Sequence, residues 1–183
     1  FDEVLGDSMR QGLMAGVSYG IGAAAGAVEK AAEAFRETRV REGEALKSDL
    51  LGKLDTMLAN VDEVEKRYPE IIEEYRRKLL EKLEEIKADT AIDDSRLAAE
   101  LVIYSDKLCT DEETVRLRNH ILTMKKVLEE GGEAGRRLDF MAQEMNREAN
   151  TILSKANDLR TSQIGIAMKT DIEKIREQIQ NIE

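Results

Sequence analysis

The sequence is poor in the residues that build most catalytic sites and most β-structures. Its 183 residues include one cysteine, one proline, one histidine, no tryptophan and only three phenylalanines and four tyrosines. The single Cys109 excludes a disulfide framework and a zinc site held by several thiolates. Turn residues at regular short intervals, which a β-sandwich or barrel needs, are missing. A serine hydrolase with a histidine base would have to use His120, because the chain has no other histidine.

What the chain has in quantity is charge and strong helix formers. Alanine, glutamate, leucine, lysine and arginine supply 91 residues, half the chain, which is typical of long helices and coiled coils. We therefore expect an all-α fold in a reducing compartment. The chain carries 28 basic and 38 acidic residues, so its formal net charge is −10. An acidic chain is by itself a poor candidate for binding nucleic acid.

Residues 11–28 form the longest stretch without charge. The stretch has 18 residues, and Gly12, Gly16 and Gly20 repeat the spacing of close-packed membrane helices. Most of it is glycine and alanine, however, and neither tryptophan nor a basic cluster flanks it. We expect a weak helix or a segment that orders on assembly, with no membrane role and no secretory signal. A glycine-zipper anchor at residues 12–26 is the alternative.

From Val28 onward, apolar residues recur with helical spacing. Because proline fits the first turn of a helix and not its interior, a second helix is predicted to begin at Pro69. The two helices would form an antiparallel hairpin or a bent rod. The stripe that leads up to Pro69 consists of Leu46, Leu50, Leu54, Met57, Val61, Val64 and Tyr68.

Four further helices are predicted from their end signals. Asp93 or Asp94 caps a short helix, and residues 110–113 are predicted to be a capping box that opens the next one. Two glycines at 131–132 end that helix. A fifth helix begins at about residue 135, and a sixth carries an isoleucine-rich stripe. The predicted architecture is a long helical hairpin plus a helical bundle.

The fifth helix, residues 135–158, departs from the usual mixture of glutamate and lysine on a solvated face. It carries several indifferent helix formers, whose short polar side chains compete for backbone hydrogen bonds. These residues are Asn146, Asn150, Thr151, Ser154 and Asn157. Such a face is typical of a helix that packs against polar partners or handles a ligand.

Charged residues align on one side of this helix. At about 100° per residue, Glu144, Glu148, Lys155 and Asp158 fall near one line. The two glutamates repel each other unless a cation lies between them, and with Asp158 they would suit Mg²⁺ or Mn²⁺. Arg147 and Lys155 would hold phosphate oxygens. The competing interpretation is a set of alternating ion pairs on a packed bundle.

Three other residues have two interpretations each. His120 lies away from the apolar stripe of its helix, and it is either an acid or base near neutral pH or an ordinary hydrogen-bonded histidine. Phe140 lies off the core stripe and would either stack on a base or fill a subunit interface. Cys109 ends an apolar stripe and is predicted to be packed rather than reactive.

Charge is not spread evenly along the chain. Residues 114–160 hold nine basic and seven acidic residues, so this window is +2 and the remainder is −12. The acidic total therefore hides a mildly basic region, which coincides with the unusual helix.

At these residues the sequence resembles the YicC/YloC-like endoribonuclease family. The likeness is strongest in GRRLDFMAQEMNREANTILSKAND at 135–158 and in EKIREQIQNIE at the C-terminus. REGEAL at 41–46, YPEIIEEYRRKL at 68–79 and EETVRLRNH at 112–120 extend it over roughly residues 30–183. The resemblance implies a bacterial, cytoplasmic, metal-dependent ribonuclease that acts on RNA, typically with Mn²⁺. It also implies assembly as a ring-like or clamshell hexamer.

The resemblance further implies roles for individual residues. Glu144 and Glu148 are the predicted catalytic and metal-linked carboxylates, with Asp158 as a third metal ligand. His120 is the predicted assisting acid or base. The predicted RNA contacts are Arg116, Arg136, Arg137, Arg147, Asn150 and Lys155.

Two departures from the family pattern stand out. Leu153 stands where the family usually has glycine. The family also has a β-rich N-terminal domain, which nothing in residues 1–29 resembles. We therefore expect a glycine- and alanine-rich segment at 1–29 and a helical domain at 30–183, the helical half of the enzyme. The rival interpretation is a non-catalytic helical module for oligomerisation or for clamping RNA.

Overall fold

The computed structural model describes residues 2–86, 94–132 and 134–180, which form five α-helices and contain no strand. The all-α prediction is confirmed. The predicted cap at Asp93 lies outside the described residues. The helices are α1 (Asp2–Ile86), α2 (Asp94–Leu108), α3 (Asp111–Glu130), α4 (Gly135–Lys155) and α5 (Leu159–Ile179).

The chain divides into two compact units, residues 1–46 and 47–183. In the first unit, residues 11–28 are helical, and the described side chains are almost all exposed, among them Leu13 and Phe35. Within the described ranges, no helix combines the length and the apolar character that a membrane crossing requires. The division between residues 29 and 30 stays a prediction.

The helix start predicted at Pro69 is wrong, because α1 continues through this residue to Ile86. A proline inside a helix removes one backbone hydrogen bond and costs about 3 kcal/mol. Apolar side chains offset that cost on both sides, since Val61 and Val64 are buried before the proline and Ile71 is half-buried after it. The chain therefore does not fold back at Pro69, and the predicted hairpin between the segments before and after this residue is not formed.

The partner of this part of α1 is α2. The Tyr68 hydroxyl lies 2.6 Å from Ser105 Oγ, and the rings of Tyr75 and Tyr104 stack with their centroids 3.6 Å apart. The Tyr75 hydroxyl donates to Glu100 Oε1 at 3.2 Å. Later residues of α1 thus meet earlier residues of α2, so the two helices are antiparallel.

The second unit has an apolar core to which α1, α3, α4 and α5 contribute stripes, as their helical spacing predicts. α4 packs against both α3 and α5 and is therefore the middle helix of these three. The largest fully buried side chains are Leu50, Leu54 and Met57 of α1, Leu117, Ile121 and Met124 of α3, Leu138, Met145 and Ile152 of α4, and Met168, Ile172 and Ile175 of α5.

The ends of α3 confirm one prediction and correct another. Gly131 and Gly132 end the helix with φ of 72° and 87°, a region that favours glycine. Thr110 precedes the helix as predicted but makes no side-chain capping bond. The capping box is wrong, because Glu113 pairs with Lys155 of α4 at 2.8 Å. Glu113 therefore forms an ion pair with the half-buried ammonium group of Lys155 and does not form the predicted hydrogen bond with the backbone amide of Thr110.

Ion pairs on the surface connect α1 to α3 and α5. Arg118 Nη2 of α3 lies 2.8 Å from Asp62 Oδ1 and 2.8 Å from Glu65 Oε2. Arg160 Nε of α5 lies 2.6 Å from Glu63 Oε1. Partly exposed pairs of this kind contribute little to stability and serve mainly to fix which residues face each other.

α4 and α5 approach each other closely at Leu153 and Gly165. A Cβ atom added to Gly165 would lie 3.0 Å from Leu153 Cδ1 and 3.2 Å from Leu153 Cβ. The small residue of this contact therefore lies on α5, while α4 supplies the large one.

We expect Gly165→Ala to destabilise the fold by about 1 kcal/mol. Overpacking costs about 1–3 kcal/mol, which exceeds the gain of up to about 1 kcal/mol from replacing glycine in a helix. In a Leu153→Ala background the same substitution should cost less, because the 3.0 Å contact with Leu153 Cδ1 is gone while the 3.2 Å contact with Cβ remains. Urea denaturation of the four proteins measures both effects, and an equal effect of Gly165→Ala in both backgrounds would contradict the packing argument.

Candidate functional site

Polar side chains between α3 and α4 form a stripe, which we call the α3–α4 polar stripe. The two helices are antiparallel, because Glu113 near the start of α3 meets Lys155 at the end of α4. On each helix the members of the stripe lie within about 60° of one another. They are Glu113, Arg116 and His120 on α3, and Glu144, Glu148 and Lys155 on α4.

Glu148 is the most buried charged residue of the stripe, with 5% of its surface exposed. Arg116 Nη1 lies 3.9 Å from Glu148 Oε1, which is an ion-pair distance but not a hydrogen bond. Among the described residues, no donor forms a hydrogen bond with the Glu148 carboxylate. The carboxylate oxygens of Glu148 are not fully enclosed, so solvent and the Arg116 guanidinium group offset the cost of placing this charge at a mostly buried position.

Lys155 connects the end of α4 to the start of α3. Its ammonium group donates hydrogen bonds to Glu113 Oε1 at 2.8 Å and to the Cys109 carbonyl oxygen at 2.8 Å. The other carboxylate oxygen of Glu113 is buried and has no hydrogen-bond partner. The structure thus places Lys155, a predicted RNA contact, in a connection between helices.

His120 is half-buried and lies on the same flank of α3 as Glu113, which contacts Lys155 of α4. On α3, His120 lies seven residues after Glu113. On α4, Glu148 lies seven residues before Lys155. Since Glu113 and Lys155 are in contact and the helices are antiparallel, His120 stands level with Glu148. The structure therefore brings His120, Arg116 and Glu148 to one part of the stripe, with the half-buried Glu144 one turn further along α4.

Asp158 lies elsewhere, and its predicted alignment with Glu144 and Glu148 on one helix is wrong. α4 ends at Lys155, and Asp158 is the N-cap of α5, where its carboxylate accepts a hydrogen bond from the Thr161 amide at 3.1 Å. This local cap explains why the helix stops before residue 158.

Arg67 of α1 also binds Asp158, with Nε 3.2 Å from Oδ2. Burial acts to raise the pKa of Asp158, but hydrogen bonds from Thr161 and Arg67 act against it and bring the pKa below its ordinary value. Hydrogen bonds to Glu74, Glu70 and Asp158 raise the pKa of Arg67 further, so the guanidinium stays charged. The pair is a structural connection between α1 and the α4–α5 turn.

The three predicted metal ligands do not come together in this chain. In the part of the chain that the structure describes, no three acidic, histidine or cysteine side chains are arranged so that they could hold a metal ion. The carboxylate of Asp158 already accepts hydrogen bonds from the Thr161 amide and from Arg67. Two carboxylates, Glu144 and Glu148, remain on one flank of α4, which does not amount to the predicted site.

The side of α4 that faces away from the core is the second candidate surface, which we call the α4 outer face. Six residues form this face, and all of them are exposed; the side chain of Phe140, one of the six, is 61% exposed. Neither Arg136 nor Arg147 forms an ion pair with a described residue. The neighbouring Arg137 is exposed as well. The α4 outer face consists of Arg136, Phe140, Gln143, Arg147, Asn150 and Ser154.

Two residues of this region escaped the sequence reasoning. Arg67 gives no local signal, because its partner Asp158 is 91 residues away. Glu113 does give one, since its spacing to Arg116 and His120 puts all three on one flank of α3.

Comparison with known proteins gives a consistent result. Residues 64–183 match the family described as "Endoribonuclease YicC-like, C-terminal". The chain is 42% identical over 158 residues to a protein of Clostridioides difficile named "Probable endoribonuclease YicC", covering 86% of this chain and 54% of the relative. A protein of Haemophilus influenzae with the same name is 36% identical over 149 residues, covering 81% and 51%. The chain thus spans about half the length of these curated relatives.

We expect Asp158→Asn to lower the free energy of unfolding by about 1–2 kcal/mol at neutral pH. Asparagine caps a helix as well as aspartate does, so the loss reports the charged contact with Arg67. Because the folded-state pKa of Asp158 is lowered, its contribution is present above the ordinary value of about 3.9 and is lost as the pH falls through the folded-state pKa. Urea denaturation between pH 7 and pH 2.5 measures this, and a difference between the two proteins that does not shrink in acid would contradict it.

Proposed function

Because this chain belongs to the family of YicC-like endoribonucleases, we propose that it is the helical half of an enzyme that cleaves RNA phosphodiester bonds. The match over residues 64–183 carries this proposal, since it contains the end of α1 and all of α2 to α5. Both candidate surfaces, the α3–α4 polar stripe and the α4 outer face, lie inside the matched region. The family name and the exposed arginines of α4 support the same substrate class.

In this proposal the α3–α4 polar stripe supplies the acid–base groups. Glu148 and Glu144 are the catalytic carboxylates, and His120 gives or takes a proton near neutral pH. Arg116 Nη1 lies 3.9 Å from Glu148 Oε1, and the same guanidinium group also pairs with Glu112. Because Arg116 is more than half exposed, it is open to contact by a phosphate. The supporting observation is the mostly buried Glu148, which pairs with Arg116 at 3.9 Å on the two helices that also carry the only histidine of the chain.

Phosphate contacts are assigned to Arg136, Arg137 and Arg147, with Asn150 beside them. These side chains are exposed, and guanidinium groups without carboxylate partners are suited to bind phosphate oxygens. Lys155 contributes positive charge at the end of the stripe while it holds Glu113.

A divalent cation, Mn²⁺ or Mg²⁺, is part of the proposal through the family resemblance. When bound, such an ion supplies charge for the developing negative oxygens. Since the predicted carboxylates do not come together in this chain, we derive no catalytic step through the metal. Assembly as a homo-oligomer, a hexamer by the same resemblance, and a cytoplasmic location complete the proposal.

A non-catalytic assembly module is the second candidate, and exposed apolar side chains favour it. Val115 and Leu122 of α3 and Leu159 and Ile166 of α5 are between 49% and 75% exposed. Apolar residues on the outside of several helices are typical of surfaces that other chains cover. In that case the polar helix α4 would build an interface rather than an active site.

We expect the protein, in the longest form that its gene encodes, to cleave labelled structured RNA with Mn²⁺ and to stop cleaving when EDTA is added. Glu144→Gln or Glu148→Gln should abolish cleavage without changing the oligomeric mass, because each removes a negative charge and keeps the shape. Glu173→Gln on the exposed side of α5 is the matched control. Normal cleavage by both variants would show that the assigned site is wrong, and dissociation into monomers would favour the assembly module.

We expect His120→Gln to lower the cleavage rate by about 10²- to 10⁴-fold, the usual contribution of an acid–base group, with RNA affinity nearly unchanged. Thr123→Ala, one turn along α3 and exposed, is the control. Single-turnover cleavage and a binding titration separate the two quantities. A parallel loss of affinity and rate would assign His120 to binding, and an unchanged rate would remove it from the mechanism.

A further inference from the structure

Phe140 has the one exposed aromatic ring among the described residues of the second unit, whereas the other aromatic rings contact neighbouring side chains. Among the described residues of 47–183, the three tyrosines are half-buried and engaged, Tyr68 with Ser105 and Tyr75 with Tyr104. Phe140 is 61% exposed on the α4 outer face. The ring therefore lies open to a ligand, and the groups around it decide which ligand would fit.

The charge around Phe140 indicates what covers it. Arg136 lies about 6 Å before Phe140 along the helix axis, and Arg147 lies about 10 Å after it. The α4 outer face contains no carboxylate, although the whole chain has a net charge of −10. On one flank Asp139 is engaged with Gln143 and with Arg176 of α5, and on the other Glu144 belongs to the α3–α4 polar stripe. The occupant of this face is therefore anionic and offers a flat apolar surface.

A second copy of the chain fits this face poorly. In a two-fold symmetric contact the face would meet itself, which would bring four guanidinium groups together without a carboxylate. Charges of one sign in a closed contact cost free energy unless counter-charges are present. A nucleic acid strand offers the required combination of phosphates and bases.

We propose that Phe140 is the stacking platform for one unpaired base of an RNA strand, with Arg136 and Arg147 binding the phosphates on either side. The inference rests on the proposed function and deepens it, because it selects unpaired nucleotides as the contacted part of the substrate. Within a duplex the faces of the bases are covered by their neighbours, whereas in loops and single strands they are free to stack on an aromatic ring. On the same face Asn150 offers its amide group to the base edge or the sugar, and Gln143 offers its carbonyl oxygen, since its amide nitrogen donates to Asp139.

The test is a binding titration by fluorescence anisotropy with a labelled single-stranded RNA and with the blunt duplex of the same sequence. EDTA is present so that the RNA is not cleaved, and the titration is repeated with Mn²⁺ in a Glu148→Gln background, in which no cleavage is expected. Phe140→Ala should weaken binding of the single strand by about 5- to 100-fold, the effect of losing one stacked base, and leave duplex binding nearly unchanged. Phe140→Trp should keep the affinity for the single strand. Arg136→Gln and Arg147→Gln should each lower the slope of log affinity against log salt by about 0.7.

Ile166→Ala and Arg76→Gln are the matched controls, since both residues are exposed but lie on α5 and α1. Equal affinity of Phe140→Ala and the unchanged protein for the single strand would overturn the inference. So would a loss of oligomeric mass in both Phe140→Ala and Phe140→Trp, which would show that the ring fills a subunit interface. If the protein cleaves RNA and Phe140→Ala changes nothing, the inference alone fails. If Phe140 governs binding but nothing is cleaved, the proposed function alone fails, and if no RNA binds, both fail.

Discussion

The ammonium group of Lys155 sets the relation between α3 and α4 on which both candidate surfaces depend. It binds the Glu113 carboxylate and the Cys109 carbonyl at the same time, so the end of α4 is fixed against the first turn of α3. Sliding α4 by one turn would break both contacts and leave Glu113 without its cation. Everything else on α4 follows from this register, including the position of Glu148 level with His120.

The distribution of charge explains how an acidic chain can present the surface that we propose for RNA. Many of its carboxylates pair with basic side chains of other helices, as in the pairs of Arg118 with Asp62 and Glu65. The arginines of the α4 outer face are left without such partners among the described residues. A net charge of −10 therefore says little about any one face, because the field near a surface depends on its nearest and least compensated groups.

The sequence predicts the buried stripes, the helical content and the glycine pair that ends α3, because each depends on neighbours within a few turns. It fails at Pro69, where burial of apolar side chains before and after the proline outweighs a local cost of about 3 kcal/mol. The prediction fails again at Asp158. The sequence pattern continues the fifth predicted helix to this residue, but in the structure Asp158 is the N-cap of α5. Spacing also places Glu144 and Glu148 on one flank of α4, while the catalytic roles of these two residues and of His120 stay predictions. The contact of Asp158 with Arg67 escaped, because it joins residues far apart in the chain.

The close contact of Leu153 with Gly165 has a consequence for how the family varies. Where a relative carries glycine at the position of Leu153, the space that the leucine occupies here is open, and a larger residue can stand opposite it on α5. The two positions are then expected to change together, with the sum of their side-chain volumes nearly constant. A glycine that moves from one helix to the other in this way preserves the distance between the helices, and with it the placement of the polar face that α4 presents.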